Sequence, residues 1–138
     1  MMNQTISADP NCKALLMKIK EGLRQHPMDP KIFCEFPEQI VSKISMTGEN
    51  KSSQIRKFYE EIERWTHKEE SQFEIYKPYM KMLAAKARYA EEKKVISSEF
   101  CQLVNVLVDV ATEKFENIFK VKDFMECIIA YSYQNNNK

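Results

Sequence analysis

Glycine is nearly missing from this chain, with two among 138 residues. Strand-rich domains of this size turn tightly and often, and those turns draw on Gly or Asn for their positive φ angles. Here the Asn residues gather toward the ends of the chain instead. A glycine-rich phosphate cradle is excluded by the same scarcity, and no G-x-x-x-x-G-K-[ST], G-x-S-x-G or H-E-x-x-H is present. Histidine is also scarce, with only His26 and His67, and the four cysteines, Cys12, Cys34, Cys101 and Cys127, form no C-x-x-C. No metal set and no cofactor site is therefore expected. No run approaches the roughly 18 apolar residues that span a bilayer, and no secretory type of leader opens the chain. These absences predict a cytoplasmic protein with no membrane partner, whose reduced cysteines serve as small core hydrophobes.

What remains is a mixture of 43% apolar and 30% charged residues, enough for one helical domain with its own core. Leu15, Leu16, Ile19 and Leu23 fall at helical spacing within Asn11 to Gln25, with Asp9 or Asn11 available as a cap. Three prolines between Pro27 and Pro37 enforce an irregular connection, and a short helix from Pro37 to Met46 follows. Thr47 to Lys51 reads as a linker. From Ser52, Ile55, Phe58, Tyr59, Ile62 and Trp65 make an amphipathic stripe. A fourth helix spans about Phe73 to Lys94, with Tyr76, Tyr79, Met80, Leu83, Ala87 and Ala90 on its core face and Pro78 arguing for a later start. Ser97 or Ser98 caps a fifth, whose stripe runs from Phe100 to Phe115. A sixth, from about Val121 to Tyr133, is apolar on most sides and must be enclosed by neighbours or buried on another chain. The fold class is thus all-α, a bundle of about five to six helices, divided into an N-terminal extension over 1–50 and a core over 51–138.

Net charge is only +1, but residues 51–94 hold 11 basic and 8 acidic side chains, so a polyanion contact belongs there. On a wheel of 100° per residue with Tyr76 at zero, Lys86 and Lys93 fall at about 280° and 260°, beside Met82 and Tyr89. They form a basic, aromatic strip on the flank of the core face. Two lysines snorkelling past apolar neighbours would look the same. Read functionally, the strip tracks phosphates and offers a ring for stacking. At the start of the third helix, Ser52 or Ser53, with Lys51 and Arg56 close by, makes a generic anion site, although Arg56 and Lys57 can equally pair with Glu60 and Glu61. His67 and the adjacent carboxylates Glu60/Glu61, Glu69/Glu70 and Glu91/Glu92 read as solvated surface residues, and no catalytic residue is assigned.

Three segments, Lys51-Ser-Ser-Gln-Ile-Arg-Lys-Phe-Tyr59, Met82-Leu-Ala-Ala-Lys-Ala-Arg-Tyr-Ala90 and Phe124-Met-Glu-Cys-Ile-Ile-Ala-Tyr131, resemble in order and spacing the small subunit of type III-A CRISPR effector complexes, the Csm small subunit. The resemblance covers about Lys51 to Tyr133. It implies an all-helical, non-catalytic protein in antiviral defence, present in more than one copy in a ribonucleoprotein. Such a subunit stacks on backbone and large subunits and lines the groove that holds guide RNA and target RNA. By position the resemblance places the RNA-contacting hydroxyl-then-arginine motif on Ser52, Ser53 and Arg56, and the lysine and tyrosine on Lys86 and Tyr89. Lys93 stands where an arginine often follows, keeping the charge without the bidentate fork.

The expected function is therefore sequence-independent RNA binding by Arg56, Lys86 and Lys93, with Lys51, Lys57 and Lys94 as lesser members and Tyr89 stacking. A rival reading is a helical protein-to-protein adaptor with no RNA contact, docking through the apolar sixth helix. That helix is also expected to pair two copies as a homodimer in the isolated protein.

Overall fold

The computed structural model describes residues 10–45 and 52–136. Among the described residues six α-helices appear in chain order: α1 (Pro10–Arg24), α2 (Glu35–Ser45), α3 (Ser52–Trp65), α4 (Phe73–Glu92), α5 (Ser98–Ala111) and α6 (Asn117–Asn136). Short 3₁₀ turns precede α2 (Pro30–Phe33) and α4 (Glu70–Gln72), and no strand occurs among the described residues. The protein is a single-domain all-α bundle. The linker expected over Thr47 to Lys51 lies outside the described residues.

Local sequence explains most boundaries. Pro10 begins α1, where its missing N–H is one the helix could not have bonded anyway. Glu35 and Glu38 place negative charge in the first turn of α2, favourable to its dipole. Ser97 accepts a bond from the Phe100 N–H at 3.1 Å and so caps α5. Gly22 permits a close approach: a Cβ there would meet Ile32 Cδ1 at 2.8 Å, so the Ile32 side chain would have to shift to admit one.

One core runs through all six helices. α6 lies in the middle, against α2 and α3 and also α1 and α5, while α4 rests mainly on α5 and α1 on α5. Ile118, Val121, Phe124, Met125 and Ile128 of α6 are all buried within the chain. Most of the apolar surface expected to drive docking or pairing through this helix is thus covered by the protein's own neighbours, with Ile129 and Tyr131 half-buried. α1 and α2 belong to the same core as the residues after 51. Arg24 pairs with Glu113, Lys20 with Asp109, and Lys120 donates to the Leu23 carbonyl at the end of α1.

The structure corrects several sequence expectations. The start of α4 at Phe73 is as expected, Pro78 notwithstanding: Phe73 is buried and stacks edge-on against Phe115 at 6.0 Å. That contact outweighs the backbone bond lost at the proline. Tyr79 is not on the core face; it is 62% exposed. α5 ends at Ala111, so Phe115 lies in the following turn. There Asn117, buried, donates to the Val110 carbonyl at 3.0 Å and starts α6 four residues before the expected Val121. α3 begins at Ser52, which puts Ser52 and Ser53 in its first turn rather than ahead of it. Of the cysteines, Cys12 and Cys101 are buried, Cys127 is half-buried and Cys34 is exposed.

Lys94 carries the chain out of α4 at φ 62°, the left-handed region. Two bonds close the turn, Lys94 N–H to the Glu91 carbonyl at 2.9 Å and Val95 N–H to the Ala90 carbonyl at 3.1 Å. This is the Schellman arrangement in which glycine is usual, because a Cβ strains that backbone by roughly 1–2 kcal/mol. Lys94→Gly should therefore stabilise the fold, by about 0.5–1 kcal/mol once the greater freedom of the unfolded chain is subtracted. Urea denaturation would show it as a higher midpoint at unchanged slope.

Candidate nucleic-acid interface

α3 lies mainly on α6 and α4 mainly on α5, so the two helices touch each other little and leave a groove between them. Its floor is apolar. Phe58 of α3 packs edge-on against Phe100 of α5 at 5.6 Å, and Leu83 and Ala90 of α4 complete it. The volume is about 400 Å³. Around the rim stand Lys57 and Arg64 from α3 and Lys86 and Lys93 from α4, opposed by Glu60 and Glu61. Four cations against two carboxylates leave its rim net positive.

Lys86, Tyr89 and Lys93 are brought together as the wheel predicts. Tyr89 is 66% exposed, with the Lys93 ammonium 5.1 Å from its ring centroid. Such a contact at an exposed site is worth roughly 0.5–1 kcal/mol and keeps the ring beside a charge. Two helical turns, about 10 Å, separate Lys86 from Lys93, enough to reach different phosphates.

Arg64, to which the sequence reading assigns no role in RNA binding, belongs to the groove. It binds Glu61 at 2.8 Å, and the same carboxylate lies 4.0 Å from Lys86 of the facing helix. The Glu61 hydrogen bond, followed by its charge, raises the Arg64 pKa, so the guanidinium remains fully ionised. Only the crossing of α3 and α4 reveals this residue.

The remaining expected contacts are scattered. Lys57 lines the groove, but its neighbour Arg56, 100° round the helix, is exposed and does not. Ser52 and Ser53 are exposed in the first turn of α3. Lys51 lies outside the described residues. Lys94 lines a different groove, of about 430 Å³, with Arg88, Glu91 and Cys101 between α4 and α5. Burial, and then a hydrogen bond with Glu91, pushes the Cys101 thiol up to about 12, so it is no nucleophile at neutral pH.

Among the described residues no group of three or more His, Cys, Asp or Glu is placed to hold a metal ion. No helix among them is long and apolar enough to cross a membrane. α4 also carries Ile75, Tyr79 and Met82, all exposed, continuing the flank of Lys86 and Tyr89 toward the helix start.

Fold and cleft together define a small all-α protein with a groove rimmed by cations on one side of its core. The family model described as Csm2 Type III-A matches residues 28–137, and the chain therefore belongs to the Csm2 family, the small subunit of type III-A CRISPR complexes. The match begins well before Lys51, taking in α2 and the 3₁₀ turn ahead of it. No curated protein and no solved structure matches the chain.

Proposed function

We propose that this chain is a non-catalytic subunit that holds the sugar-phosphate backbone of guide RNA and target RNA in the α3–α4 groove, alongside backbone and large subunits and further copies of itself. The observation that carries the reading is the projection of Lys86, Tyr89 and Lys93 into one groove together with Lys57 and Arg64. Ammonium and guanidinium groups meet phosphates without regard to sequence, and a tyrosine stacks on any base. Most of the groove's charged side chains are cations suited to phosphates, with Gln54 as an amide beside them, and choice of target is left to pairing between the two RNAs. Cleavage then falls to other subunits.

If three or four phosphates are contacted, the logarithm of affinity for single-stranded RNA falls against log salt with a slope of about −2 to −3. Fluorescence anisotropy across a salt series measures it, with two unrelated sequences giving equal affinities at each point. A flat salt response, or tight binding of one sequence alone, would overturn the proposal. The adaptor reading retains one supporting feature, now on another helix: the exposed Ile75, Tyr79 and Met82 of α4 suit a protein neighbour.

A further inference from the structure

Glu61 stands between cations of the two helices that make the groove. Its Oε1 lies 2.8 Å from Arg64 Nη2 and 4.0 Å from Lys86 Nζ, bridging cations from the two helices that make the groove. The Glu61 side chain is 26% exposed, whereas Arg64 and Lys86 are 63% and 56% exposed. The acid is thus the sheltered member of the trio, and its two cations are the accessible ones. A carboxylate oxygen offers a guanidinium and an ammonium the same charge and acceptor geometry as a phosphate oxygen.

We propose that Glu61 is a built-in competitor for the groove, occupying Arg64 and Lys86 until a polyanion engages Lys57 and Lys93 at the same time. The inference rests on the RNA-groove reading and adds to it a residue that sets affinity. A ligand with one phosphate gains little by replacing one carboxylate with another anion. A continuous backbone meets the outer lysines first and then draws Arg64 and Lys86 away, so the groove favours long, contiguous polyanions over isolated ones. Weak binding by the free subunit follows from the same arrangement.

Glu61→Gln keeps the shape and removes the charge. The ion pairs released are exposed and individually weak, so affinity for a labelled mixed-sequence single-stranded RNA should rise only about fivefold. The salt slope should steepen by about one, as a cation is returned to the phosphates. The same substitution is then made in an Arg64→Gln/Lys86→Gln background, with helical circular dichroism as the folding control. There the gain should vanish, since no cation remains to be released. An equal gain in both backgrounds would mean that Glu61 acts only through general repulsion, and the proposal would fall. Unchanged affinity on Glu61→Gln, with binding still weakened by Arg64→Gln/Lys86→Gln, would also overturn it while leaving the RNA reading standing. If none of these variants altered binding, the RNA reading itself would be the one refuted.

Discussion

Changing Lys86 and Lys93 together to Glu is expected to weaken RNA retention on the order of 100-fold near physiological salt, about 2–3 kcal/mol. Both ammonium groups stand on one flank of α4 at the groove rim, so each substitution removes a phosphate contact and adds a repulsion. The fold should be unaffected, because both side chains lie at the surface. Lys93 forgoes its contact with the Tyr89 ring, and Lys86→Glu sets a new acid near Glu61, each an effect of under about 1 kcal/mol. Co-purification of RNA with the tagged variant, compared with Lys86→Arg/Lys93→Arg, separates charge from shape. The arginine pair should retain RNA and the glutamate pair should not. Equal RNA retention by the glutamate pair, with the bundle intact, would leave the adaptor reading in its place.

Phe100→Ala should destabilise the protein by about 3–5 kcal/mol, the range for removing a fully buried aromatic ring. Phe100 is wholly buried on α5 and meets Phe58 edge-on beneath the groove. Its loss leaves a cavity between α5 and α3 at the groove floor. For a chain of this length the thermal midpoint should fall by roughly 10–20 °C, read by circular dichroism. Phe119→Ala is the comparison: that ring is exposed, though it touches Phe115, and its removal should lower the midpoint by no more than a few degrees. Similar losses for the two would mean that the core does not hinge on the Phe58–Phe100 contact.

Helical periodicity made α3 and α5 readable because each buries a single stripe: Ile55, Phe58, Ile62 and Trp65 in one, Phe100, Leu103, Val104 and Leu107 in the other. It failed at stripe edges and ends. Tyr79 lies on the wheel only 20° beyond the buried Ala90, and where the neighbouring helix stops decides which of them is covered. Phe115 continues the α5 pattern by count, but the turn after Ala111 shifts it to another surface. The site divides the same way. Lys86, Tyr89 and Lys93 share one helix, so their spacing suffices to group them. Arg64 joins them only through the crossing of α3 with α4, and Arg56 parts from Lys57 because consecutive helical residues diverge. Glu61 appears in the sequence as a partner for Lys57, and only the fold turns it toward Arg64 and Lys86.

The clasp between α1 and the later helices has a consequence for synthesis on the ribosome. Arg24 and its partner Glu113 are 89 positions apart, and α6, against which α1 and α2 also lie, emerges last. At about 5–20 residues per second, the first helix waits several seconds, with Leu16, Ile19 and Leu23 unsheltered, before its covering surface leaves the exit tunnel. Closure of the bundle is therefore a late event in synthesis, and the nascent N-terminal half is the stage at which a holdase chaperone has an apolar face to grip.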